Sequence, residues 1–317
     1  MKPLMYANLH NHTTHSDGVY TPDEIVKIAK DEGYFAFATT DHDVTTGNKQ
    51  TIEACKKYGM EYLFGCEFMA YSKEFDFTFH LTAYDFDPEL SEMKEYLRRC
   101  SVTMTERTKY CFELGKKEGI IPEGIAWCDV ESGNPGVSWF CNDHVFRVMK
   151  EMGLATDKDY PPFLRFFFEH WNDVSDAYPK MPVEEIIPLV KKAGGIVLVA
   201  HPHNKLNTIA RLIELGIDGI EVWHPDLNES EFPEALRIAM ENNLYISGGS
   251  DHSGLCGGQY SFYEDYKTCP YYIPECVMGT TKEFFTEMKE RRLNPKRNEI
   301  IKEYIKYYQE KGEPAAN

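Results

Sequence analysis

The chain opens with short apolar runs separated by amphipathic segments. Residues 4–9 form an apolar lead-in that predicts a short buried strand, and residues 34–40 (YFAFATT) form a second. Residues 62–66 and about 76–84 read as a third and a fourth. Between the first two, Thr21 is suited to cap a helix, with Pro22 at its first position, Glu24 three residues after the cap, and Gly33 as the stop. A further helix is predicted over 47–58, ending at Gly59. The same alternation resumes after Pro182. Helices are predicted over 183–193, 206–215 and 231–242, and strands over 196–200, 219–223 and 244–247. About seven strands alternating with helices over short connections imply βα units.

The alternation pauses in the middle. Residues 88–119 carry a period near 3.6 and predict one or two helices, and residues 120–180 are aromatic-rich and irregular. This divides the chain into a barrel-type domain over 1–87 and 180–290, an inserted, mostly helical cap over 88–179, and a C-terminal helix and tail over 291–317. The segment from Glu283 is amphipathic and basic in places, which predicts a solvated terminal helix, with a disordered end over 313–317.

Composition narrows the class. The 317 residues are 42% hydrophobic and 27% charged, as expected of a globular protein. No apolar run is long enough to span a bilayer, and the N-terminal residues lack a secretory core, so a cytoplasmic location is expected. The nine cysteines are odd in number, scattered and free of C-x-x-C spacing. They suit neither a disulfide framework nor a thiolate zinc site. A net charge of −17 disfavours stable binding to duplex nucleic acid or an anionic membrane. A small phosphorylated partner remains open, because bound cations reverse the local field. Oligomeric state is not legible.

The eleven histidines carry the chemistry. His10 and His12 are two apart at the end of a strand, and so leave on one face, ahead of Asp17-Gly18. Taken alone, that stretch also fits a surface loop. However, His15, His42, His80, His201, His203, His224 and His252 also sit at or just after predicted strands, with Asp17, Asp41, Asp43, Glu67, Glu221 and Asp251 among them. In a barrel of parallel strands such positions converge on one face. Histidine and carboxylate ligands without cysteine suit a catalytic site holding two or three divalent ions of Mn, Fe or Zn. Clustered ions of this kind clamp a phosphate and supply a hydroxide for in-line attack. No G-x-S-x-G elbow or P-loop lysine is present.

His10-Asn11-His12-Thr13 with Ser16-Asp17-Gly18, Thr40-Asp41-His42-Asp43, Gly65-Cys66-Glu67, Ala200-His201-Pro202 and Gly249-Ser250-Asp251-His252 together resemble the PHP (polymerase and histidinol phosphatase) phosphoesterases of the amidohydrolase superfamily. The resemblance covers about residues 1–260 and is strongest to the nucleotide phosphoesterase branch. It implies an α/β fold, a distorted seven-stranded (β/α)7, TIM-like barrel, with three divalent ions. Carried over by position, it implies that His10, His12, Glu67 and Asp251 hold one ion. Glu67 would bridge to a second held also by His80 and His201, and Asp17 and His42 would hold the third. The family completes the third site with a histidine two residues after the Asp251 position. Here Ser253 stands there, and the adjacent His252 is the expected ligand. Related enzymes also carry an arginine just before a histidine in the insertion. Here Asn142-Asp143 precede His144, and Arg107 and Arg147 are the expected phosphate ligands beside His144. His224 and His203 are the expected proton donors.

The resemblance thus implies a metal-dependent phosphoric ester hydrolase acting on a nucleotide or nucleotide-like phosphomonoester. A cyclic phosphodiester or histidinol phosphate is the alternative substrate. The rival readings are a non-catalytic metal-binding PHP domain and a C–N hydrolase.

Overall fold

The computed structural model of the protein describes residues 1–251 and 278–312. His252 and Ser253, on which the third-ion expectation turned, and the expected disordered end at 313–317 lie outside the described residues.

The chain begins with β1 (Met5–Asn8), α1 (Pro22–Asp31), β2 (Ala36–Phe37), α2 (Asn48–Tyr58) and β3 (Glu61–Tyr62), then runs through β4 (Gly65–Ser72) and β5 (Phe77–Tyr84). The predicted cap of α1 is present. The Thr21 hydroxyl accepts from the Glu24 amide, and the Glu24 carboxylate accepts from the Thr21 amide at 2.8 Å. The insertion follows as α3 (Ser91–Glu118), α4 (Trp127–Gly133), α5 (Asn142–Glu151) and α6 (Tyr160–His170). Within 88–119 the chain thus forms one 28-residue helix, about 42 Å long, rather than a pair. Its first half packs Met93, Tyr96 and Cys100 into the main core. Its second half puts Cys111 and Phe112 into a separate cluster with Val145, Phe146, Phe163 and Phe167. The same rod therefore belongs to both cores.

The alternation then resumes with α7 (Val183–Lys192), β6 (Ile196–Val199), α8 (Ile209–Leu215), β7 (Gly219–Trp223), α9 (Phe232–Glu241) and β8 (Tyr245–Gly248). After the residues not described come β9 (Thr280–Thr281), α10 (Lys282–Glu290) and α11 (Arg297–Gly312). The C-terminal helices are more than a solvated tail. Phe284, Ile301 and Tyr304 are buried against the main core, and the Trp223 indole donates to the Tyr308 hydroxyl at 2.9 Å.

Among the described residues the strands do not make one closed, all-parallel barrel of seven. Among the described residues they form two sheets, ordered β3-β2-β1-β9 and β4-β5-β6-β7-β8. β5 is antiparallel to both β4 and β6. The reason is local: residues 73–76 are too few for a crossover helix, so the chain must return antiparallel. β2 is shorter than its apolar run because the backbone past it is bound elsewhere. The Ala38 carbonyl accepts from the Asn11 side chain at 3.0 Å, and the Thr40 amide donates to the Asn11 carbonyl at 2.8 Å. Isolated bonds stitch the two sheets together at both margins. Leu9 N–H reaches Gly248 O (3.3 Å) on one side, and Glu67 N–H reaches Asp41 O (3.2 Å) on the other. The ends of β1, β6, β7 and β8 and the start of β4 therefore share one rim.

No described helix is long and apolar enough to cross a membrane. Of the described cysteines, Cys55, Cys66, Cys100, Cys111 and Cys141 are buried, Cys128 is exposed, and all are free thiols.

Candidate metal centre

The rim is organised by the loop that leaves β1. Asn11 points away from the site and ties the loop to Asn8 O and Ala38 O, so that His10 and His12 on either side of it turn inward together. Asp41 fixes the next turn, accepting from the Thr13 amide (2.7 Å) and from the hydroxyls of Thr13 and Ser16 (2.8 and 2.7 Å). Gly18 closes the loop against the backbone of His12, where an added Cβ would stand 2.5 Å from the carbonyl oxygen.

Glu67, buried near the start of β4, is the hub. Its Oε2 lies 3.1 Å from His10 Nε2, 3.2 Å from His12 Nε2 and 3.2 Å from His42 Nδ1. Its Oε1 lies 3.1 Å from His80 Nδ1 and 3.3 Å from His201 Nε2. Asp251 adds an oxygen 2.9 Å from His12 Nε2 and 3.6 Å from His10 Nε2. Asp17 lies 3.3 Å from His12 Nδ1 and 3.7 Å from His42 Nε2. His201 and Asp251 both hold positive φ, at 26° and 50°. Each strained backbone is pinned by its own amide, His201 to Glu221 Oε2 and Asp251 to His10 O, both at 2.9 Å.

The electrostatics follow from crowding. Burial alone would raise the Glu67 carboxyl, yet the surrounding imidazoles hold it well below its usual range, and Asp251 likewise. Burial alone would lower His10 and His12, yet the facing carboxylates raise both well above the ordinary histidine value. His42 differs: burial brings it down to about 4. His10 Nε2, His12 Nε2, His42 Nδ1 and Glu67 Oε2 are buried with no hydrogen-bond partner, although all four converge. Buried polar atoms are rarely left so, and divalent ions are the partners that a set of imidazole and carboxylate donors fits. Ligand atoms of His10–His12–Glu67, His12–Asp17–His42, His42–Glu67–His80 and His10–His201–Asp251 lie within 4.8 Å of one another in each group.

The structure thus brings together His10, His12, Asp17, His42, Glu67, His80, His201 and Asp251, while His252 lies outside the described residues. The remaining expected residues divide. His224 is buried at the rim, with Nε2 3.4 Å from Asp251 Oδ2. His203 is bound at Nδ1 to Glu231 (2.7 Å) and at Nε2 to Asn204, so both nitrogens are occupied. Arg107 does not reach the site as a phosphate ligand. Its guanidinium is spent on the carbonyls of Tyr178 (2.6 and 2.8 Å) and Trp171 (3.2 Å), where it staples the insertion. Arg147 and His144 lie on α5 and reach over the β1 loop. Arg147 Nη1 donates to Gly18 O at 3.0 Å, whereas its Nε and Nη2 are buried without partners; His144 accepts at Nδ1 from the Cys141 amide (3.0 Å), and its ring also meets the Thr14 backbone.

Two contributors had no assigned role in the sequence reading. Asp41 shapes the ligand loop, and Glu221 grips His10 Nδ1 with both oxygens at 3.1 Å. A carboxylate in the middle of the otherwise apolar, fully buried β7 was the available sign, since such a charge requires a partner.

A buried His/carboxylate cluster with several overlapping ligand groups gathers on one rim, a set able to hold metal. Residues 8–115 match the model of the PHP domain. It is 25% identical over 266 residues to the phosphoribosyl 1,2-cyclic phosphate 1,2-diphosphodiesterase of Eggerthella lenta, covering 80% of this chain and 96% of that one. It is 26% identical over 264 residues to the 3',5'-nucleoside bisphosphate phosphatase of Chromobacterium violaceum, covering 80% and 89%. Its fold is similar to that of a Bifidobacterium adolescentis protein assigned as a metal-dependent phosphoesterase, with a TM-score of 0.70 and 24% identity over 93% of this chain and 99% of that one.

Proposed function

We propose that the protein is a metal-dependent phosphoesterase that hydrolyses a small phosphate ester, with a nucleotide-like phosphomonoester as its substrate. The observation that carries this reading is Glu67, with one oxygen facing His10, His12 and His42 and the other facing His80 and His201. A carboxylate so placed suits a bridge between ions, and His12, Asp17 and His42 offer a further position. Divalent ions bound there neutralise phosphoryl oxygens and make water a competent nucleophile near neutral pH. The chain's own residues do the rest. Arg147, with His144 beside it, offers unpartnered N–H donors next to the Asp17 loop, where a phosphate arm would lie, and the Gly18 bond keeps Arg147 in register. The inserted helices carry both residues, so the insertion sets which ester enters.

A cyclic phosphodiester is the second reading, favoured by the likeness to the E. lenta enzyme. Phosphate release by Mn-loaded protein separates the two. The panel holds an adenosine 3',5'-bisphosphate, a 5'-mononucleotide, a cyclic sugar phosphate, histidinol phosphate and a single-stranded oligoribonucleotide, with His10→Ala as control. Turnover of the bisphosphate, abolished in the control, is the expected result. No turnover of any member by protein shown to hold metal would favour the non-catalytic reading.

A further inference from the structure

β7 supplies no atom to the circle around Glu67, yet two of the most deeply buried polar residues at the rim, Glu221 and His224, come from it or follow it directly. By distance alone, His10, Glu221 and His224 lie close enough to hold an ion of their own. The hydrogen bonds say otherwise. A carboxylate accepts only, so His10 Nδ1, 3.1 Å from both Glu221 oxygens, carries a proton. An ion at the site displaces the second proton, which leaves the His10 Nε2 lone pair aimed between Glu67 and Asp251 as the ligand atom. His224 is set the opposite way. Its Nδ1 accepts from the Asp226 amide at 3.1 Å, so its proton lies on Nε2. That Nε2–H faces Asp251 Oδ2 at 3.4 Å and Glu221 Oε2 at 3.9 Å. The other Asp251 oxygen, Oδ1, is the one near His10 and His12.

We infer that Glu221 and His224 are positioning residues rather than ligands. Glu221 locks His10 in the tautomer that can bind an ion and tethers the strained His201 backbone. His224 Nε2–H faces one Asp251 oxygen at 3.4 Å and so favours the carboxylate orientation that leaves the other oxygen toward the metal. Both imidazoles present N–H to the His10–Glu221–His224 group, so it does not hold an ion. This assigns His224 to Asp251 instead of to the substrate. Partners that orient metal ligands in this way are commonly worth 10–100-fold in metal affinity.

The inference rests on the metal reading of the site, and the test separates the two. Stoichiometry and affinity for Zn²⁺ and Mn²⁺ are measured by competition with a chelator for wild type, Glu221→Gln, His224→Ala and His224→Gln, without substrate. Wild type that binds no ion overturns the metal reading itself. With wild type binding, the inference expects Glu221→Gln and His224→Ala to keep full stoichiometry and lose about 10–100-fold in affinity. His224→Gln, whose amide can still donate to Asp251, is expected to stay within about threefold of wild type, on the same order-of-magnitude grounds. Loss of one whole ion in Glu221→Gln, wild-type affinity in both Glu221→Gln and His224→Ala, or equal loss in the two His224 variants overturns it. Should His224→Ala fail to fold, the imidazole ¹⁵N shifts of the Zn-loaded wild type decide. A proton on His10 Nδ1 and on His224 Nε2 is required, and any other pattern refutes the assignment.

Discussion

Replacing Glu67 by glutamine tests the core of the metal reading. The substitution keeps the volume of a fully buried side chain and removes one charge from a point within 3.3 Å of the imidazoles of His10, His12, His42, His80 and His201. At an effective dielectric near 20, a unit charge pair about 3.2 Å apart is worth roughly 5 kcal/mol, and a divalent ion doubles the gross figure. Desolvation of the carboxylate offsets much of it. A net loss of about 3–4 kcal/mol remains a reasonable scale, which is roughly 10²–10³-fold in ion affinity. Metal content after dialysis against a weak chelator, followed by phosphate release at saturating Mn²⁺, reads both consequences. Glu67→Asp gives an internal gradation. One methylene shorter, it cannot reach both imidazole groups, so it should keep part of the metal and little of the activity. Wild-type metal content and turnover in Glu67→Gln would refute the claim that this carboxylate bridges ions.

Arg147→Gln should raise KM for the phosphate ester about tenfold or more while leaving metal content unchanged, because the guanidinium reaches the rim only from the insertion; a lower kcat at unaltered KM would move Arg147 out of substrate binding. Asp143, pushed up to about 6 by burial and by the Asp17 charge, holds its proton in the folded state more tightly than in the unfolded chain, where its value is about 3.9. Its contribution is therefore present below about pH 4 and lost as pH rises through 6. Urea unfolding of the chelated proteins should show wild type losing up to about 3 kcal/mol relative to Asp143→Asn between pH 4 and 7, and a pH-independent difference would contradict the burial argument. Gly249→Ala would place a Cβ 2.4 Å from the backbone nitrogen and Cβ of His10, so a thermal unfolding scan should show a loss of about 2–3 kcal/mol together with weaker metal retention. An unchanged scan would mean that this strand end can shift away from His10.

How much of this was legible in the sequence depends on the range of the physics involved. Local rules sufficed for the Thr21 capping box, for the apolar runs that became β1, β6, β7 and β8, and for the same-face placement of His10 and His12. Period and capping act over a few residues and leave their mark within the same few residues. The gathering of histidines at strand ends was readable for the same reason, since strand direction alone decides which end they occupy. Closure of the sheet was not. The four-residue turn alone makes β4 and β5 antiparallel, but which strand β5 then pairs with is settled more than a hundred residues away in β6. Side-chain commitments were equally hidden: Arg107 and Arg147 are both arginines on helices of the insertion. Only the fold shows that one is consumed by the carbonyls of Trp171 and Tyr178 while the other reaches Gly18 with two nitrogens to spare. The sequence by itself determined the kind of chemistry, because imidazole and carboxylate ligands are properties of residue type. Tertiary structure decided which atom of each imidazole faces Glu67 and what holds it there. A tautomer is set by a hydrogen bond to a residue such as Glu221, 211 positions from His10, and no local pattern encodes that distance.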